Sequence, residues 1–462
     1  MSKQAFDAIV IGTGQAGPSL AKRLADAGMS VAVVERNLVG GTCVNTGCIP
    51  TKAMVASAYA AHIARRAADF GVIIEGSVSV DLARVQTRKN AISERSRDGL
   101  TGMLESLPRG ALVRGHGRFV SKTEVEVGGA VLTAPRIFIN VGGRAALPEI
   151  PGLRDTPLLT NSSMMQLAEL PRHLVVLGGS YIGLEFAQMF RRFGSEVTVI
   201  EHGPRLVGRE DEDVSSAIRE VLVAEGITVH TGARALWTSG KAGDIEVEAE
   251  VQAGSSNLTV RGSHLLVATG RRPNTEDLGL EAAGVATDRR GYITIDDSLA
   301  TSTPGIWALG DCNGRGAFTH TAYNDFEIVA ENLLDGAARR VSDRIAAYAL
   351  YVDPPLGRVG MTDAEVKKSG RPALVSKRPM TRVARASEKG ETAGFMKVVV
   401  DQETKLILGA AIFGTGGDEV IHCILDVMYA KAPYTLLTHA VHIHPTVSEL
   451  IPTLLGDLAP LV

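Results

Sequence analysis

Cysteine is scarce here, with four residues in a chain of 462. So low a count excludes the disulfide framework of a secreted protein and points to a reducing compartment. Cys312 and Cys423 stand alone, far apart in sequence. A structural zinc site needs four ligands, usually as two close pairs, so no metal site is expected. Long apolar runs are lacking too. No stretch approaches the 18 residues of a membrane helix, and no charged segment leads into an apolar one as in an export signal. Basic clusters are missing as well, and the net charge is −3, so neither nucleic acid nor membrane is an expected partner. The expectation is a soluble, cytoplasmic protein.

Glycine, in contrast, is plentiful: 50 residues, in a chain that is 45% hydrophobic. That combination suits an α/β protein with many tight strand-to-helix turns. The length exceeds one hydrophobic core, so two to four domains are expected.

The first ordered signal is an apolar strand from Phe6 to Ile11, running directly into Gly12, Gly14 and Gly17 in the pattern G-x-G-x-x-G. A helix to Ala27 follows, then a strand from Ser30 to Val34 ending in Glu35. This is the dinucleotide fingerprint in its required setting. The glycines let backbone N–H groups approach a pyrophosphate at the helix N-terminus, and Glu35 accepts from an adenosine ribose. A second unit repeats the pattern about 166 residues later. The strand His173–Leu177 leads into Gly178, Gly179, Ser180, Tyr181, Ile182 and Gly183, a helix to Phe193, the strand Glu196–Ile200, and Glu201. Ser180 replaces the middle glycine, which holds the backbone further from a phosphate or offers it a hydroxyl. One such fold can hold a flavin and the other a nicotinamide.

Cys43 and Cys48 lie between these units, within the run from Gly40 to Lys52. Pro50 suits a first helical position, an Ala-rich run extends from Ala53 to Asp69, and Gly71 supplies the stop. Cys48 therefore sits at a helix N-terminus, where the macrodipole favours a thiolate. The pair could be buried small hydrophobes or half a zinc site, and its four-residue gap is wider than C-x-x-C. A redox pair fits the placement better.

Further on, the apolar strands 137–141 and 265–269 end in glycines, Gly142-Gly143 and Gly270, and read as chain crossings between nucleotide domains. A third, from Gly305, delivers Asp311 at its C-terminal end, where α/β sheets bind ligands. From about 341 the texture changes to short strands and a helix near 417–430. His444, with Glu449 five residues on, has the spacing of a base and its orienter.

Together, the run Gly-Gly-Thr-Cys-x-Asn-x-Gly-Cys-Ile-Pro-x-Lys, the paired nucleotide units, the Gly-Asp strand and the terminal His-Pro-Thr-x-Ser-Glu resemble the flavoprotein disulfide reductases. Glutathione reductase, dihydrolipoamide dehydrogenase and mercuric reductase belong to that family. The resemblance covers essentially the whole chain. It implies two Rossmann-like α/β domains and a C-terminal α+β dimerisation domain. The expected boundaries are an FAD domain in 1–150 and 271–340, an NAD(P) domain in 151–270, and a dimerisation domain in 341–462. It also implies FAD and NADH as cofactors, NADPH being disfavoured by Glu201, and a homodimer.

Carried over residue by residue, Cys48 resembles the charge-transfer cysteine beside the flavin and Cys43 the interchange cysteine that attacks substrate. Lys52 and Glu185 match the ion pair near the flavin, Tyr181 the gate over the nicotinamide pocket, and Asp311 the ribityl-binding acid. His444 and Glu449 match the acid–base pair that reaches the cysteines of the partner subunit. Gly41, Thr42, Gly143 and Gly270 join the cofactor-binding set with the glycines of both fingerprints. Electrons would pass from NAD(P)H through the flavin and a Cys43–Cys48 disulfide to an acceptor.

The acceptor is less well marked. The chain shows neither an extra cysteine pair near its start nor vicinal cysteines near its end, which limits the likeness to mercuric reductase. The segments 318–326 and 353–361 are similar to a bacterial mercuric-reductase-like branch and to the reactive-chlorine-resistance flavoprotein, which implies Cu(II) as well as small disulfides. Three readings stand: a disulfide reductase, a Cu(II) or Hg(II) reductase, and a dihydrolipoamide-dehydrogenase-type complex component or redox sensor.

Overall fold

A computed structural model describes residues 3–252 and 257–461. Continuous apolar runs form strands buried on both faces, as parallel sheets require. The first sheet orders its strands Ile306–Ala308, Ile137–Ile139, Ala8–Ile11, Val31–Glu35 and Gly110–Arg114, all parallel. The helices Ala16–Asp26 and Thr319–Leu334 pack against each other, and residues of both belong to the core of this sheet. A second parallel sheet runs Leu158–Leu159, His264–Val267, His173–Leu177, Glu196–Ile200 and Thr228–His230. A six-stranded antiparallel sheet, from Ala347–Leu350 to Ala459–Pro460, forms the C-terminal part.

The runs expected to be chain crossings are instead sheet members, Ile137–Ile139 in the first sheet and His264–Val267 in the second. The chain crosses just beyond them, where Gly143–Ala145 pairs antiparallel with Arg271–Pro273. The helix expected to start at Cys48 and Pro50 does begin at Cys48, but it ends at Arg65 rather than running on to Asp69. A separate 3₁₀ turn, Ala67–Phe70, then leads to Gly71 at φ +74°. Cys43 lies on a short helix of its own, Gly41–Asn45, which the sequence pattern did not mark.

The second and third sheets share one core. Leu350, Val352, Leu356, Phe395, Ala411 and Phe413 of the C-terminal part cluster with Phe186, Phe190 and Phe193 of the second nucleotide helix. Beside this core lies a buried ionic knot. The Lys397 ammonium, 3% exposed, meets Asp211, Asp213 and Asp363 at 2.8–2.9 Å, and Arg358 meets Asp211 at 3.0 Å. Removing one member leaves buried charge uncompensated. Lys397→Met should therefore destabilise the protein by about 3–5 kcal/mol, read as a lower urea midpoint. An unchanged midpoint would show the knot to be energetically idle.

Candidate redox and nucleotide site

The cysteine loop is built by its glycines and Asn45. Gly40 has φ +99°, and a Cβ there would lie 2.6 Å from the Val44 side chain. Asn45 donates its amide to the carbonyls of Val39 and Gly41, each at 2.9 Å, closing the turn that carries Cys43. Cys48 is the first residue of the helix Cys48–Arg65. Both thiols are free. The neighbouring Cys43 thiol is the largest of the influences that bring Cys48 down to about 6. The Thr319 hydroxyl, 3.1 Å from that sulfur, and the Lys52 charge act in the same direction against burial. The neighbouring Cys48, with burial, pushes Cys43 far up. The pair is thus asymmetric: a thiolate at Cys48 and a retained proton at Cys43.

One helix turn further on, Lys52 Nζ meets Glu185 Oε2 at 2.7 Å and lies 4.5 Å from the Tyr351 ring centroid. The other Glu185 oxygen accepts the Tyr351 backbone N–H at 3.1 Å. Three separate segments fix this ion pair.

A cavity of about 1460 Å³ runs along these groups. Cys43, Cys48, Lys52, Glu185, Tyr181 and Asp311 line it, as do Gly12, Gly14, Glu35, Gly41 and Thr42. Glu35 accepts from the Thr13 N–H at 3.0 Å, the Thr13 hydroxyl at 2.5 Å and the Asn37 N–H at 2.7 Å. Thr13 in turn accepts the Gly40 N–H at 3.1 Å, joining the glycine loop to the cysteine loop. Asp311 sits in a 3₁₀ turn just past its strand, 3.4 Å from Arg271. Burial raises its carboxyl and Arg271 opposes that.

The other expected residues lie elsewhere. Gly17 and Gly183 serve helix-on-strand packing, since a Cβ would fall 2.3 Å from Gly12 O and 2.1 Å from Gly178 O. Gly178 leaves its strand at φ +110°, beside Ala268 O. Gly143 pairs with Pro273, and Gly270, at φ +150°, directly precedes that ribbon. Glu201, at the end of the second fingerprint, accepts the N–H groups of Gly179 at 2.5 Å and Gly203 at 2.6 Å. Arg205 turns away, donating to Gly208 O at 3.3 Å. His444 holds Glu449 through Nδ1 at 2.8 Å, its side chain 74% exposed and outside the cavity lining. Val441 and Ile443 beside it are also largely exposed.

Several contributors were not singled out from sequence: Thr13, Thr319, Tyr351, Glu210 and Tyr348. Tyr181 donates to Glu210 at 3.0 Å and Tyr348 does so at 2.7 Å. Burial, then the neighbouring Glu210, pushes both phenols upward, so they remain donors. Only Thr319 carried a visible cue, in the segment 318–326 that resembles the mercuric-reductase-like branch.

The cavity fits a flavin dinucleotide. No side chain caps the helix Ala16–Asp26 and no acid occupies its first turn, so its N-terminal end favours an anion. A Cβ on Gly41 would fall 2.8 Å from Gly14 Cα, so the two loops meet with no space for side chains.

Residues 6–325 match the pyridine nucleotide-disulphide oxidoreductase model, and residues 346–455 match the dimerisation domain of the same family. The chain is 36% identical to the probable pyridine nucleotide-disulfide oxidoreductase RclA of Escherichia coli, over 99% of both chains. It is 35% identical to the dihydrolipoyl dehydrogenase of Thermus scotoductus, over 96% of this chain and 95% of the relative. The solved Cu(II) complex of the HOCl-induced flavoprotein disulfide reductase RclA from Escherichia coli superposes with a TM-score of 0.88 at 34% identity, covering 97% of this chain and 99% of that one. The chain belongs to the pyridine nucleotide-disulfide oxidoreductases. It is a flavin-dependent, pyridine-nucleotide-linked oxidoreductase with a C-terminal dimerisation domain. Among the described residues no helix is long and apolar enough to cross a membrane.

Proposed function

We propose that the chain works as a homodimer, taking electrons from NADH and reducing a small disulfide through Cys43 and Cys48. The observation that carries this reading is the asymmetric cysteine pair sharing one cavity with the glycine loop, Glu35 and Asp311. Bound FAD supplies the two-electron link between nicotinamide and the cysteine pair. The N–H groups at Gly14 and Gln15 would hold its pyrophosphate, Glu35 its adenosine ribose and Asp311 its ribityl chain, while Lys52 and Glu185 would set the charge near its ring and Tyr181 would cover the nicotinamide pocket.

On the acceptor side, Cys43 attacks one sulfur of the substrate disulfide. A mixed disulfide forms and the first thiolate leaves, taking a proton. Cys48 then attacks Cys43, releasing the second thiolate and forming the Cys43–Cys48 disulfide. Cys43 holds its proton against the Cys48 thiolate, so it needs a base, and an imidazole suits neutral pH. His444 lies outside the cavity of its own chain, and the family resemblance, which pairs it with Glu449, supports His444 of the partner subunit as that base.

A panel of lipoamide, glutathione disulfide, cystine, Cu(II) and Hg(II), run with wild type and Cys43→Ser, tests this. At least one disulfide should be turned over by wild type alone. Only Cys43-independent turnover would favour a sensor or a docked component. A second reading, soft-metal reduction, is favoured by the sulfur pair and by the Cu(II) complex of the related RclA; Cu(II) or Hg(II) reduction without disulfide reduction would establish it.

The nucleotide preference follows from Glu201. Its carboxylate accepts from a ribose 2′-hydroxyl and repels a 2′-phosphate, and Arg205 is turned elsewhere. NADH should exceed NADPH in kcat/KM by about tenfold to a hundredfold, roughly 1–3 kcal/mol, and Glu201→Ala should narrow the gap. Equal use of both by wild type would refute it.

A further inference from the structure

Glu210 is 1% exposed, in the loop before the helix Glu212–Ala224. A single oxygen of Glu210 accepts both phenols, Tyr181 of the second nucleotide helix and Tyr348 of the C-terminal sheet, at 3.0 and 2.7 Å. Its other oxygen has no hydrogen bond and lies 3.9 Å from Arg358, which is likewise buried and anchored on Asp211. The rings form a cluster: Tyr181 stands edge-on to Tyr348 at 5.7 Å and to Phe318 at 6.3 Å, and Phe318 stacks on Tyr348 at 5.6 Å. A gate that only shields a pocket needs a ring. It does not need a hydroxyl tied to a buried acid shared with another domain.

We propose that Glu210 and Tyr348 are positioning residues that latch Tyr181 over the nicotinamide pocket and hold the latch ready for reuse. This rests on the reading of Tyr181 as the gate. When Tyr181 swings aside for a nicotinamide ring, its hydroxyl must leave Glu210. Tyr348, at the shorter distance, keeps the same oxygen paired, so opening does not orphan a buried acceptor. The two phenols therefore act with opposite sign. Tyr181 resists opening, and Tyr348 makes opening less costly by staying behind.

The test uses FAD-loaded dimer and calorimetric binding of two ligands, a non-reducing tetrahydro analogue of NADH and ADP-ribose. ADP-ribose lacks the nicotinamide ring, does not require the gate to move, and reports that the nucleotide domain is intact. Relative to ADP-ribose, Tyr181→Phe should bind the analogue about tenfold tighter and Tyr348→Phe about tenfold more weakly, the scale of one hydrogen bond to a charged group. Glu210→Gln keeps an acceptor oxygen but no charge, and should shift in the direction of Tyr181→Phe by less. Shifts of the same sign in the two phenylalanine variants, equal shifts for both ligands, or no shift would overturn the latch. Tyr181→Ala separates the two levels. If it changes the analogue-to-ADP-ribose ratio while the phenylalanine variants do not, the gate stands and the latch alone fails. If it leaves the ratio unchanged, the gate reading fails and takes the latch with it.

Discussion

Cys43→Ser should lower turnover with a disulfide acceptor by at least about a thousandfold, because the mixed disulfide cannot form without that sulfur. The fold should survive, since serine fits the space and Cys43 is only partly buried. What remains is informative. The Cys43 thiol is the first cause of the low Cys48 value of about 6, ahead of Thr319 and Lys52. Serine can still donate to the Cys48 sulfur and should keep much of the shift, whereas Cys43→Ala removes the donor and should move Cys48 upward. The sign is fixed by the charge: a donor stabilises the thiolate, so losing it lowers the thiolate fraction at neutral pH. Thiolate absorbance followed against pH in the two variants checks this. Full turnover by Cys43→Ser, or a Cys48 titration that ignores the alanine change, would remove Cys43 from its assigned role.

His444→Ala should cost about a hundredfold to ten-thousandfold in acceptor turnover, the span of general acid–base catalysis, with flavin reduction by NADH left near the wild-type rate. The exposed His444–Glu449 pair, outside the cavity of its own chain, also makes a sharper forecast. Mixing inactive Cys43→Ser with inactive His444→Ala under subunit exchange should restore activity, since one site of each hybrid dimer is complete. No recovery, with exchange confirmed by mass, would place the base within the same chain.

How much of this was visible in sequence depends on range. The strands His173–Leu177 and Glu196–Ile200 have the bounds their apolar runs suggested, because a strand buried on both faces leaves an unbroken hydrophobic signature. The end of the cysteine helix was misjudged, because the helix stops at Arg65 and a separate 3₁₀ turn runs on to Phe70, a break inside the expected run that composition does not mark. The short helix under Cys43 is held by Asn45 bonding back to Val39 and Gly41, a local closure that no periodicity reveals. Thr319 on Cys48, Tyr351 on Glu185 and Tyr348 on Glu210 join positions 271, 166 and 138 apart. Contacts at that distance arise only once the sheets have packed.

The core shared by the second and third sheets governs how this protein can be recombined. A chain cut before Ala347 would strip six apolar side chains from the core they share with Phe186, Phe190 and Phe193. The C-terminal part is therefore no detachable coupling module. Chimeras that exchange it with a relative will have to carry matched aromatic and aliphatic residues on both sides of the seam, and a joint placed at the ribbon of Gly143–Ala145 and Arg271–Pro273 must also keep the packing of the helix Cys48–Arg65 on the second nucleotide helix.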